Sequence, residues 1–476
     1  MAIDKIMAER MGTDEDGIEE KLKPWEDLSR NLLQVISQFM SLDLNETAGH
    51  AAEAIRGLIS KQAEAVANGA ESASESAHEI QLDNISTRLG HLQLALELAA
   101  NIFTDEGAEE AEEANPKPKK ENDDLLGEDS DADLEMDDGE DNSEDEIDDV
   151  DFGNNDEEDF DEGDMVDILA DEGTLASKAD EVVENSILGL FISTIVPQLQ
   201  RLAEPTSMSS LSTALEASST LNNPNVVRAV SAAVDSFVVL HERALACFNN
   251  FLLVVEESLK PWFRKHTDLV NLWWAHLTAI AEHVVGVARP ADASLAEKDM
   301  ALRCSVLESA VGSMWTLTRG VEGCVPVTGP HIEGLVQICE FAPTSDLRVR
   351  AVGALGNIAR RQPGFVDLNR RIGAYLLENV IVKPLLQPSK DPAAIAEPIV
   401  EALDLFFDIY SDMAYDYDEP VFVKGEFLAR LRQVYLPAKK FAKTIDRRKH
   451  RELRSRADLA VQNLRAFLDY KATERK

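Results

Sequence analysis

From Ser177 to the C-terminus, apolar residues recur at three- and four-residue spacing, and no stretch alternates polar with apolar as a strand would. That single pattern restricts the chain to all-α architectures. The periodic segments are 179–203, 207–221, 225–256, 262–287, 295–320, 331–342, 346–361, 365–387, 393–413, 421–445 and 451–472. Their breaks fall at Pro205, Pro224, Pro261, Pro290, Pro326, Pro343, Pro363, Pro388 and Pro420. Proline removes a backbone donor and restricts the residue before it, so each break ends one helix before the next begins. Many helices of moderate length joined by short turns predict stacked helix pairs, a HEAT- or armadillo-like α-solenoid, rather than a closed bundle.

The start of the chain reads the same way. Leu28, Leu32, Val35, Ile36 and Phe39, then Ala51, Ala54, Ile55, Leu58 and Ile59, then Ile85, Leu89, Leu92, Leu96 and Ala99 mark three amphipathic helices. Asn68 to His78, rich in Ala, Ser and Glu, reads as a loop or a frayed end. Residues 1–21 are assigned to an N-terminal tail, 22–104 to helical repeats, and 177–476 to the main solenoid with basic C-terminal helices.

Between the two helical regions lies a segment of different character, 105–176, entered through Pro116 and Pro118. Residues 121–172 hold 28 of the chain's 88 acidic residues and no Lys or Arg, so the rest carries only −14 of the net −42. Dense charge of one sign with few apolar residues cannot bury a core, and a long disordered acidic loop is expected. The overall deficit of basic residues argues against direct nucleic-acid binding, because phosphate contacts need basic surface. Basic partners are the natural complement.

The chemistry-bearing residue types form no recognisable site. No glycine in the acidic block has the carboxylate pattern of a calcium loop. Cys247, Cys304, Cys324 and Cys339 show no CxxC and no histidine at zinc-finger spacing, so they read as reduced thiols packed as small apolar side chains, with no metal or other cofactor. There is no nucleophile motif, phosphate loop or HExxH, so no catalytic residue is assigned and the chain is not expected to be an enzyme. His241, His276 and His283 fit helical faces as structural histidines. The first 23 residues lack a secretory apolar core and no run of about 20 apolar residues stands out, which points away from a membrane and toward cytosol or nucleus.

The sharpest local signal is Thr344 to Ala359. Asp346 can cap a helix start, Val349, Val352 and Leu355 point inward, and Ala351 and Gly356 let a neighbouring helix approach closely. The string resembles the second helix of a HEAT repeat, and a weaker copy surrounds Val227 and Arg228, about three repeats of roughly 40 residues earlier.

Three further stretches carry a resemblance over roughly residues 80–476. They are the leucine-rich helix His91 to Glu106 running into the acidic block, Glu397 to Tyr410 with its Glu-Ala-Leu-Asp and following Phe-Asp, and the ending Leu436 to Ile445 followed by Ala460 to Tyr470. In this order they are similar to the symportins, HEAT-repeat import adaptors and chaperones of ribosomal proteins. The resemblance implies that the chain holds two 5S-RNA-binding proteins of the large ribosomal subunit, carries them to the nucleus, and meets an importin-type receptor. The family's importin-binding signal ends in Pro-Tyr, and no proline in this sequence is followed by Tyr. A HEAT-repeat regulatory scaffold of the karyopherin or phosphatase type and an acidic histone chaperone remain as alternatives.

A ribosomal cargo is strongly basic, and carboxylates can occupy its RNA-binding surface with an affinity that falls as salt rises. The candidate cargo-binding residues are Asp156, Glu157, Glu158, Asp159, Phe160, Asp161 and Glu162. With them stand Met165, Val166, Ile168 and Leu169, which can fold on cargo as a short helix or dock on the chain itself. Trp262, Trp273, Trp274 and Trp315 suit a core. Trp273 and Trp274 are adjacent, however, and point in different directions on a helix, so one is expected near a surface; Trp273, Trp274, Trp315 and Asn357 are the candidate groove residues. The segment 439–456 carries nine Lys and Arg against Asp446 and Glu452, which suits a nuclear localisation signal, an RNA contact, or attraction to the acidic block.

Overall fold

The computed structural model describes residues 15–68, 77–102, 187–204, 224–255, 260–286, 293–321, 323, 325–360, 364–387 and 391–474. Among these no strand occurs. The first three helices are α1 (Glu15–Met40), α2 (Leu44–Asn68) and α3 (Ala77–Asn101). After the acidic block come α4 (Ile187–Ala203), α5 (Pro224–Val255), α6 (Lys260–Lys265), α7 (Thr267–Gly286) and α8 (Ala293–Gly320). Then follow α9 (Gly329–Phe341), α10 (Ser345–Ala359), α11 (366–386), α12 (Pro392–Ile409), α13 (Phe427–Thr444) and α14 (Arg451–Thr473). Helix α1 begins at Glu15, inside the span read as a tail. The segment 207–221 lies outside the described residues.

The chain divides into 105–174 and a second unit made of everything before and after it. In that second unit the helices form two layers. Consecutive members of one layer, α3, α5, α8, α10, α12 and α14, pack directly on one another, while α7, α9, α11 and α13 each pair with a member of it as the partner layer. Alternate helices therefore form a ladder and the intervening ones cover its back, as expected of stacked pairs that cannot bury their apolar faces alone. Contacts of α3 with α5 and of α1 with α4 join the residues on either side of the acidic block into one core.

Side chains at the helix starts explain where the elements begin. Asp43 accepts from the backbone N–H groups of Asn45 and Glu46 at 2.9 and 3.0 Å to open α2, and Asp391 does the same for Ala393 and Ala394 at α12. For α10 the cap is Thr344, whose Oγ1 accepts from Leu347 N at 3.3 Å, and not Asp346. The helix starts at Ser345, which leaves Asp346 inside the first turn, where it faces the positive end of the helix dipole. Val352, Leu355 and Ala351 are fully buried as their spacing requires, while Val349 is half-buried.

Two expected continuous helices contain a widened π turn, at Phe191–Ile195 and Leu376–Val382, and a third π turn at Asp418–Val423 separates α12 from α13. Each is closed by a five-residue bond: Val196 N to Phe191 O, Lys383 N to Glu378 O, and Lys424 N to Glu419 O. Pro197, Pro384 and Pro420 sit at or just past these turns, and the widened turn accommodates the donor each proline lacks. The segment expected as one helix over 421–445 is thus a π turn, a left-handed Glu426 with φ 56°, and α13.

Within α5, Ser231–Val255 is long and apolar enough to span a membrane by length and composition, which the sequence reading had not singled out. Its apolar side chains are used in the core: Phe237, Ala244 and Phe251 are fully buried where α5 meets α3, α4 and α8.

Candidate functional site

Arg350 shows how one repeat locks onto the last. Its Nη1 donates to the carbonyl of Glu308 on α8 at 3.0 Å, through space that exists because residue 312 is glycine; a Cβ there would lie 2.5 Å from that nitrogen. On the same two helices Gly353 lies flat against the Trp315 indole, and Gly356 admits Leu405 of α12. Small residues on α10 therefore bring α8, α10 and α12 close together. In the weaker repeat copy Arg228 is exposed.

Trp315 is half-buried, with the Arg319 guanidinium 5.8 Å above its ring. Asn357 Nδ2 reaches Thr318 Oγ1 at 3.5 Å, and Thr316 Oγ1 donates to Asn249 Oδ1 on α5 at 3.1 Å. The candidate pair Trp315 and Asn357, both half-buried, thus lies on one side of the α8–α10 pair. Trp273 and Trp274 do not belong to it, because both are fully buried. Trp273 sits edge-on to Phe248, Phe251 and Phe263, and Trp274 Nε1 donates to His331 Nδ1 on α9 at 3.2 Å. Helix α7 is covered on both flanks, so adjacent indoles find partners in two directions without either reaching solvent.

The surface continues onto α12 as a row that sequence reading passed over. Glu397, Glu401, Asp404 and Asp408 are spaced four, three and four residues apart, which places them on one helical face. The ends of the row are engaged: Ser345 Oγ donates to Glu397 Oε2 at 3.1 Å, and Arg360 lies 3.6 Å from Asp408. Glu401 and Asp404, between them, form no ion pair within 4 Å among the described residues. Burial raises the carboxyl of Glu401 above its ordinary range, opposed by Arg456 and Arg319 and reinforced by Asp404 and Asp408. Asp404 is raised by burial against the pull of Arg456, with Asp408 adding to the rise. Among the described residues the half-buried Glu401 and the exposed Asp404 have no directly paired cation, so a basic side chain docking there meets carboxylates not already engaged in a contact ion pair.

The candidate residues Asp156 to Glu162 and Met165 to Leu169 lie outside the described residues. Among the described residues no His, Cys, Asp and Glu group could hold a metal ion. Cys247, Cys304 and Cys339 are buried and free, and burial pushes the thiols of Cys247 and Cys339 up to about 12.

Comparisons with known proteins agree with this architecture. Residues 207–475 match the family described as SYO1-like, TPR repeats. The chain is 28% identical over 266 residues to Symportin 1 of Chaetomium thermophilum, covering 52% of this chain and 37% of that protein. It is 31% identical over 167 residues to the Schizosaccharomyces pombe armadillo repeat protein involved in nucleocytoplasmic transport Syo2, covering 35% of this chain and 24% of that protein. To Synchronized import protein 1 of Saccharomyces cerevisiae it is 32% identical over 138 residues, covering 28% of this chain and 21% of that protein. The alignments therefore span well under half the length of these relatives. With its stacked helix pairs and a match extending over more than half its length, the chain belongs to the SYO1-like repeat family.

Proposed function

We propose that the chain is a binding protein acting as chaperone and nuclear-import adaptor for two 5S-RNA-associated large-subunit ribosomal proteins in ribosome biogenesis. The observation that carries this reading is the half-buried Glu401 with the exposed Asp404 beside it on one face of α12, which among the described residues have no ion-pair partner within 4 Å. Such a surface suits an extended basic segment, with Trp315 offering an indole face and Glu397 and Asp408 flanking the central acids. The names of the relatives support import as the context, since one is described by nucleocytoplasmic transport and another as an import protein. In this reading the carboxylates from Asp156 to Glu162, with Phe160 and Met165 to Leu169, serve a second basic cargo, and the adaptor moves between cytoplasm and nucleus with an importin-type receptor.

Co-purification of the tagged full chain from its host, followed by mass spectrometry, tests the reading. Recovery of 5S-associated ribosomal proteins is the expected result. Recovery of phosphatase subunits, karyopherin partners or histones in their place would overturn it.

A further inference from the structure

We propose that the corner between α13 and α14 is a docking surface for an acidic polypeptide segment carrying apolar side chains. Its α13 side chains belong to the partner layer, whereas the carboxylates from Glu397 to Asp408 stand on α12 of the other layer, and the two carry opposite charge. On α13, Arg432, Leu436, Lys439, Lys440 and Lys443 fall on one face by their spacing, and all are exposed. Leu436, in the middle of the four cations, is 63% exposed. Arg447 and Arg448 extend the basic surface past the end of the helix.

The corner has a defined shape. Ile445 is buried, and the Asp446 carboxylate accepts from Arg448 N at 2.8 Å and Lys449 N at 3.4 Å. His450 N closes the turn onto Asp446 O at 2.8 Å. Among the described residues no carboxylate lies within ion-pair distance of the side chains of Arg432, Lys439, Lys440, Lys443, Arg447 or Arg448. Neighbouring arginines differ: Arg430 is held by Glu378, and Arg454 by Asp458 at 2.8 Å. Among the described residues these six cations have no ion-pair partner, in a chain whose net charge is −42.

Charge complementarity demands an anionic partner, and Leu436 selects its class. A nucleic-acid backbone contributes phosphates and sugars and gains little from an exposed leucine, while single-stranded bases need aromatic platforms, of which this face of α13 has none. A polypeptide that alternates carboxylates with apolar side chains covers the leucine and the cations together. At physiological salt the screening length is about 8 Å, so the charges of this local surface govern the encounter.

The test is fluorescence anisotropy of the full chain with three labelled probes of matched charge at about 0.15 M salt. The probes are a 20-residue glutamate peptide, the same peptide with two leucines and a phenylalanine interspersed, and oligouridylate. The leucine-bearing peptide is expected to bind best. The triple variant Lys439→Gln, Lys440→Gln, Lys443→Gln is expected to weaken it about ten-fold, and Leu436→Ser to abolish the preference between the two peptides. These positions are exposed, so an unchanged melting temperature certifies each variant as folded. Failure of both peptides to bind, or peptide binding that the triple variant leaves unchanged, would overturn the proposal. Tighter binding of oligouridylate, insensitive to Leu436→Ser, would reassign the corner to nucleic acid.

Discussion

Two glycines on facing helices predict different outcomes for the same one-carbon change. At Gly353 an added Cβ meets the rigid Trp315 indole, whereas at Gly312 it meets the far end of the flexible Arg350 side chain. Gly353→Ala is therefore expected to lower stability by about 1–3 kcal/mol and to alter the emission of Trp315, while Gly312→Ala costs less because Arg350 can swing aside. Urea unfolding monitored by tryptophan fluorescence separates the two. Glu401 gives a prediction of opposite sign. Its folded pKa is raised, so its charged form opposes folding at neutral pH, and that opposition is relieved as pH falls from the raised value toward the ordinary carboxylate range. Glu401→Gln should raise the melting temperature at pH 7, reduce the gain in stability on mild acidification, and weaken the binding of a basic peptide. A variant that is less stable at pH 7 would show that Glu401 has a cation partner in the folded chain.

Among the elements, α14 depends on one buried charge. Lys471 is 2% exposed, with its Nζ 3.5 Å from Asp418 Oδ1 and 2.7 Å from Glu474 Oε2, and with the rings of Phe422 and Tyr470 each 5.5 Å away. The cation ties the last helix to the π turn that precedes α13. Asp418→Ala leaves that ammonium buried beside a single carboxylate, and is expected to cost about 3 kcal/mol and to speed amide hydrogen exchange along α14 ahead of α10. Equal protection of the two helices in the variant would contradict this. The pairing could not be foreseen from sequence, because Asp418 and Lys471 lie in segments whose spacing in space is set by an unforeseen π turn. The row at 397, 401, 404 and 408 was legible in principle: four carboxylates at four- and three-residue spacing in an otherwise apolar helix are a face, but the helix was read for its apolar residues and its resemblance. The indoles at 273 and 274 misled for the converse reason, since adjacency argues for divergence but cannot reveal that α9 covers one side and the Phe248, Phe251 and Phe263 rings the other.

For the whole molecule, periodicity and prolines were sufficient to identify stacked helix pairs, because each pair forms from local pattern and buries its face on the next. What they could not convey was which helices share a surface, and the candidate site exists only because α8, α10 and α12 are brought together by Gly353 and Gly356. Under the proposed function this surface grips one basic cargo through Glu401 and Asp404 while the acidic block serves another. The most direct test is the affinity of the full chain for each 5S-associated ribosomal protein across a salt series. The same series is measured for Glu401→Gln with Asp404→Asn and for a variant lacking residues 121–172. The double substitution is expected to weaken one cargo about ten-fold while sparing the other, and the deletion to weaken the second mainly at low salt. Unchanged affinity of both cargoes for the double variant would contradict it.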